Sequence, residues 1–332
     1  MSPRPSSVWV ISDGRRGIEN QALGLAEALE RQQPISLTRK IIGGDPSFVA
    51  LPPALQYLRK SKPVKFGLAA PFPDIAIGCG RQAIAPMKTI KKSSPDTFMI
   101  YIQDPRGHYN LFDLIIAPKH DQLSRPNAIS MIGSPNRLSE EKLADAAKIF
   151  KSKIDTYSAP RAALLIGGNS KRFFMGAPEM RTHISKATSL LKSGYSLFIT
   201  LSRRTDKDMR EAWTDFAAHN KDRIWFYDET AERCGANPYF AFLSACEIIF
   251  VTQDSTNMLT ESYYTGAPVY RLPMRGDAGK FETLYSELEK YRPVPAFENI
   301  LATPKASYKP LRETDEIAQK IWHKIKITSK TS

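Results

Sequence analysis

Residues Val251–Tyr270 read VTQDSTNMLTESYYTGAPVY. An apolar run, EIIFV at 247–251, leads into this stretch, and a second, PVYRL at 268–272, closes it. Between them lies a polar helix with Asp254, Ser255, Asn257 and Glu261 near its start. Two short apolar runs around one amphipathic helix predict a strand–helix–strand unit with parallel strands. Ser255 or Asp254 can cap the helix. The same four side chains also suit a polar ligand such as a nucleotide, seated where the strand gives way to the helix.

The alternation continues outward in both directions. Upstream in the same half are ALLIG (163–167), SLFIT (196–200) and RIWFY (223–227), with helices between. The first half repeats the pattern with VWVI (8–11), DIAIG (74–78), FMIYI (98–102), LIIA (114–117) and AISMI (128–132). Residues 35–42 read as a further strand, and 46–61 are interrupted by proline. Helices are expected in ENQALGLAEALERQ, where Ala22, Leu25, Ala26 and Leu29 share one face. They are also expected in RQAIAPMKTIKK, despite Pro86, and in SEEKLADAAKIFKSK, opened by Ser139 and two glutamates. DTYSAPR after Ile154 reads as a linker. The expected organisation is an N-terminal Rossmann-like unit over 1–155, a second over 160–310, and a C-terminal helix in 311–332 that packs back across the junction. The fold class is α/β and GT-B-like, with two facing Rossmann-type domains and a cleft between them.

Composition narrows the function. The 332 residues are 42% hydrophobic and 24% charged, the balance of a soluble globular protein. No apolar run approaches the roughly 20 residues that span a bilayer. The N-terminal apolar stretch is too short for a signal peptide, so a cytoplasmic protein is expected, with peripheral contact to a membrane face left open. Three cysteines, Cys79, Cys234 and Cys246, form no C-x-x-C pair, and the five histidines show no ligand spacing. No metal and no cofactor are expected. The net charge of +13 suits a phosphorylated substrate or an anionic membrane face. The basic residues are interspersed with acidic ones and no nucleic-acid-binding signature is present, so nucleic acid is not expected.

In a parallel α/β sheet, ligands bind beyond the carboxyl ends of the strands. The residues there read SDGRRGIENQ, GCGRQ, QDPRG, GGNSK, LSRRT and TQDSTN. Glycine lets backbone amides approach a phosphate, and arginine and lysine supply charge. The nucleotide and phosphate candidates are Gly167, Gly168, Asn169, Ser170, Lys171, Ser202, Arg203, Asp254, Ser255, Asn257 and Glu261. One of Arg203 and Arg204 is expected at the ligand and the other in solvent. Acceptor-side candidates are Gly14, Arg15, Arg16, Gly17, Asn20 and Gln103, with Arg15 and Arg16 neutralising acceptor or leaving-group charge. A general base would come from Asp13, Asp104 or His108. Two motifs are set aside. Asp206-Lys207-Asp208 matches the D-x-D of metal-dependent sugar transferases but reads as part of a solvated helix. Gly78-Cys79-Gly80-Arg81-Gln82-Ala83 matches a dinucleotide fingerprint but is not in the first βα unit.

WVISDGRRGIENQALGLAEAL, IGGNSK, TLSRRT, VTQDSTNMLTESYYTGAPVY and KFETLYSEL together resemble the mitochondrial fission (elongated mitochondria) protein family and its bacterial relatives. S-D-G-R-x-G near the start with D-S-x-N-M-x-x-E later is the specific combination. Plant members are cytosolic factors that help bring a dynamin-related protein to mitochondria. Bacterial ones have at times been labelled nucleoside-diphosphate-sugar epimerases. Glu261-x-x-x-x-Gly266-x-Pro268 also resembles the donor-site stretch of GT-B glycosyltransferases, such as the enzyme that completes lipid II. That likeness implies that Glu261 binds ribose while Gly168, Asn169, Ser170 and Ser255 face the phosphates. Those enzymes have Ser-Gly-Ala where this chain has Asp254-Ser255-Thr256. An acidic residue beside a diphosphate is unfavourable unless it points away or pairs with Arg203.

The expected function is that of a metal-independent, glycosyltransferase-like protein that binds a nucleotide-sugar or another phosphorylated small molecule. Its rivals are a non-catalytic adaptor that binds a protein partner at a membrane, as the fission-factor likeness implies, and a nucleoside-diphosphate-sugar epimerase.

Overall fold

The computed structural model describes residues 6–42, 67–231, 235–293 and 308–331, with side chains to 326. The proline-interrupted stretch 46–61 and Cys234 lie outside the described residues. The chain divides into two compact units, 1–137 with 312–332, and 138–311.

The first unit is built on a six-stranded parallel sheet in the order β2-β1-β3-β4-β5-β6. Its strands are β1 (Ser6–Ser12), β2 (Ile35–Ile41), β3 (Ile75–Cys79), β4 (Phe98–Ile102), β5 (Leu114–Pro118) and β6 (Ala128–Met131). Side chains alternate across a strand, so each apolar run serves two cores. Val8, Val10, Ile77, Ile100 and Ile116 pack on one face against α1 (Arg16–Glu30). Trp9, Ile11, Ala76, Met99 and Ile115 pack on the other against Ile84, Met87 and Ile90 of α2 (Ile84–Ser93). A 3-10 turn, Arg81–Ala83, precedes α2. That start puts Pro86 in the first turn of the helix, where a missing N–H costs little. Gly24, in the middle of α1, fits the same logic: a Cβ there would lie 2.3 Å from the Asn136 carbonyl oxygen. The close approach outweighs the roughly 1 kcal/mol a mid-helix glycine costs.

The second unit has a five-stranded parallel sheet in the order β10-β9-β7-β11-β12, with a separate two-stranded antiparallel ribbon β13-β8. The strands are β7 (Arg161–Ile166), β8 (Phe173–Phe174), β9 (Ser196–Leu201), β10 (Ile224–Asp228), β11 (Ile248–Thr252), β12 (Val269–Leu272) and β13 (Arg275–Gly276). The helices are α3 (Glu140–Ile149), α4 (Lys151–Ile154), α5 (Ala177–Lys192), α6 (Lys207–His219), α7 (Tyr239–Ala245), α8 (Thr256–Tyr263) and α9 (Phe281–Tyr291). Trp213, Phe173, Phe198, Phe242 and Phe250 are among its bulkiest fully buried apolar groups.

One boundary differs from the sequence reading. α3, capped by Ser139 Oγ accepting the Lys142 N–H at 3.1 Å, falls by sequence within the expected first unit, 1–155. It packs instead on α7 of the second, so the junction falls at 137/138 and not in DTYSAPR. The final helix, α10 (Glu313–Thr331), returns to the first unit. Its Ile317, Ala318, Ile321 and Trp322 complete the α1 core, and Trp322 Nε1 donates to the Leu29 carbonyl at 3.2 Å. Asp206 also differs: it precedes α6, and Asp206, Lys207 and Asp208 are all exposed. No described helix is long and apolar enough to cross a membrane.

Candidate functional site

In the second unit, β9 and β10 lie on one side of β7, and β11 and β12 on the other. Strand order reverses between β7 and β11, which places their C-terminal loops at the topological switch point where α/β sheets receive ligands. Gly167 and Gly168 follow β7, and both are buried. A Cβ on Gly167 would lie 2.2 Å from Asp254 Oδ1, and one on Gly168 would lie 1.9 Å from the Arg204 carbonyl oxygen. Only glycine fits either position. The Gly167 N–H donates to Thr252 Oγ1 at 2.7 Å, and Thr205 Oγ1 donates to the Gly167 carbonyl at 2.6 Å.

Asp254 decides the electrostatics of this corner. Its side chain is fully buried, accepts the Gly168 N–H at 3.2 Å and pairs with Arg204 Nη2 at 2.7 Å. Burial raises its carboxyl above the ordinary aspartate value, while Thr252, Arg204 and the Gly168 amide oppose the rise. Two expectations are thereby corrected. The partner of Asp254 is Arg204, not Arg203, whose Nε lies 3.2 Å from Glu229. The Gly168 amide serves the carboxylate instead of pointing to a phosphate. An acidic residue is tolerable at the switch point because its charge is answered within the wall.

The remaining candidates divide by role. Ser255 is the helix cap, its Oγ accepting the Met258 N–H at 3.5 Å, which leaves Asp254 out of that role. Asn169 is used structurally at both ends, accepting the Met175 N–H at 2.8 Å and donating to Asp206. Ser170 Oγ closes a turn by accepting from the Phe173 N–H at 3.1 Å. Ser202 Oγ likewise accepts the Arg204 N–H at 3.1 Å. Lys171 and Arg203 are exposed, and Asn257 is half-buried on α8. Glu261, also on α8, is half-buried and accepts the Tyr239 hydroxyl at 2.6 Å. Burial pushes its carboxyl up to about 7, against the hydrogen bond from Tyr239. It is therefore poised between neutral and charged near physiological pH.

The first unit has its own switch point, between β1 and β3. Gly14 takes φ +76°, a left-handed turn that glycine adopts freely. Asp13 accepts the Arg15 N–H at 3.1 Å and holds the Arg15 guanidinium at 2.6 Å. As a candidate base it is committed to that ion pair, and Arg15 with it. Arg16, Gly17 and Asn20 lie in the first turns of α1. Gln103 follows β4 with φ +83° and donates to Gln21 Oε1 at 3.1 Å. Asp104 accepts the Arg106 N–H at 2.8 Å and the Tyr109 hydroxyl at 3.3 Å, which fix the turn of its loop. His108 is exposed, in a left-handed conformation on the same loop.

Sequence reasoning passed over Thr205, Thr252 and the buried Glu19. Glu19 binds Arg39 through two hydrogen bonds of 2.5 and 2.7 Å and accepts from Ser12 Oγ at 3.3 Å. Its signal was present, an acidic residue on the apolar side of α1.

Two Rossmann-type units in one chain, each with a polar switch point, define the GT-B class, to which glycosyltransferases and the similarly built epimerases belong. A solved Methanocaldococcus jannaschii UDP-GlcNAc 2-epimerase in complex with UDP-GlcNAc and UDP is similar to this chain, with a TM-score of 0.54 and 12% identity over 97% of this chain and 99% of that one. The family model for mitochondrial fission ELM1 matches residues 16–325, and the chain belongs to that family. It is 26% identical to the mitochondrial fission protein ELM1 of Arabidopsis thaliana, over 75% of this chain and 63% of the plant protein. It is also 26% identical to the uncharacterized protein RP120 of Rickettsia prowazekii, over 97% of this chain and 99% of the relative.

Proposed function

We propose that the chain is a glycosyltransferase-like protein that binds a nucleoside diphosphate sugar at the β7 and β11 strand ends of its second unit. The observation that carries this reading is the meeting of two polar loops at the switch point, the one after β7 and the one after β11, joined by the Gly168 N–H on the buried Asp254. α8 begins there, and the first-turn N–H groups of a helix favour anions. Lys171 and Arg203, both exposed, supply positive charge for a diphosphate. Glu261 takes the ribose, accepting its hydroxyls as a carboxylate. The similar epimerase structure holding UDP-GlcNAc and UDP supports the ligand class.

A thermal-shift screen against UDP-, GDP-, ADP- and TDP-sugars tests the proposal. One nucleotide-sugar is expected to raise the melting temperature in a concentration-dependent way, and Glu261→Ala to diminish the effect. Absence of any shift at millimolar ligand would refute it. If Glu261→Ala binds as tightly as the parent, the nucleotide stands but the ribose assignment falls.

A further inference from the structure

The connection from β4 to β5, residues 103–113, carries only the short 3-10 turn Tyr109–Leu111 where a parallel crossover ordinarily has a helix. The loop is nevertheless held firmly. Asn127 Nδ2 donates to the Tyr109 carbonyl at 3.0 Å and the Phe112 carbonyl at 2.8 Å, and Asp104 ties Arg106 and Tyr109. Arg106 and His108 are both kept at φ +54°, a strained choice for side-chain-bearing residues. Strain of this kind persists only where the surroundings impose it, and it gathers at ligand sites.

Against this loop lies an open concavity of about 530 Å³, lined by Lys88, His108, Tyr109, Asn110, Leu111 and Arg125. Its size is that of a small-molecule site. Among the described residues its charged lining is wholly basic, and neither Lys88 nor Arg125 has a carboxylate partner there. The Arg125 guanidinium is 4.3 Å from the centre of the Tyr109 ring, a stacking that fixes its plane while leaving its N–H groups to a ligand. We propose that this concavity binds the phosphate group of a small phosphorylated molecule, with Lys88 and Arg125 as its charged ligands and Asn110 and His108 for the remaining polar atoms. Partial desolvation against the concavity, and then the charge of Lys88, hold the His108 imidazole below its ordinary pKa. Uncompensated positive charge of this kind is what an incoming anion relieves. The site belongs to the first unit and does not depend on the nucleotide reading of the second.

His108 itself reports occupancy. Its imidazole resonance in the full chain, picked out from the five histidines by comparison with His108→Gln, is followed by NMR as inorganic pyrophosphate is added. A saturable shift is expected, unchanged in Glu261→Gln. The double variant Lys88→Met/Arg125→Met, checked for native circular dichroism, should weaken it by about tenfold or more. A resonance unmoved at about 20 mM pyrophosphate would overturn the proposal, as would an undiminished response in the double variant. In a second arm the chain is sedimented with phosphatidic acid vesicles, with phosphatidylcholine as control. Vesicle binding through the same two residues, without a response to pyrophosphate, would move the site to a lipid headgroup and overturn the small-molecule assignment.

Discussion

Glu261 carries a pH signature of defined sign. Its carboxyl is raised to about 7 in the folded chain, against an ordinary value of 4.5. The folded state therefore holds a proton that the unfolded state gives up between these values. The contribution to stability is complete below about pH 4.5 and is lost as the pH rises through 7. By pH 8 the loss is on the order of 2–3 kcal/mol. Glu261→Gln keeps an acceptor for Tyr239 but has no proton to lose. In urea unfolding the variant should match the parent at pH 4 and exceed it at pH 8 by that amount. Equal differences at the two pH values would mean that Glu261 titrates normally. The glycines make a second prediction at this scale. Gly168→Ala forces a methyl group onto the Arg204 backbone, and overpacking of this kind costs about 2–3 kcal/mol. A Gly168→Ala chain as stable as the parent would show that the loop relaxes freely.

Among the elements, α10 separates the contacts that matter from those that do not. Arg31 Nη2 meets Asp315 Oδ1 at 2.5 Å, but both side chains are partly solvated. Trp322 is buried against α1. Exposed ion pairs contribute well under 1 kcal/mol, whereas removal of a buried tryptophan side chain costs about 3–5 kcal/mol. Arg31→Ala should therefore be nearly silent and Trp322→Ala severe in denaturant melts, and the reverse order would mean that α10 is held by charge. The strands were legible in the sequence because a strand buried on both faces is apolar throughout, as in FMIYI and EIIFV. α3 misled because an amphipathic helix looks the same whichever sheet it covers, and only its contact with α7 assigns it. The site was legible as a set of loops but not as pairings. Arg203 and Arg204 are neighbours in one turn, and nothing short of the backbone path decides which reaches Asp254.

On the scale of the molecule, each unit has its own core. Calorimetry is expected to resolve two unfolding events, since chains with more than one core commonly depart from two-state behaviour. Trp322→Ala should lower one of them. A nucleotide-sugar at about a hundredfold over its dissociation constant should raise the other by about 2.7 kcal/mol. A single transition moved by both perturbations would show that the cores melt together.

The crossing of the chain at 137/138 and again at 311/312 bears on the order of synthesis. The ribosome makes all of the second unit before it makes the last helix of the first. The earlier-made sheet must wait, with the part of α1 that Ile321 and Trp322 will cover still open, while the later one has every strand and helix it needs.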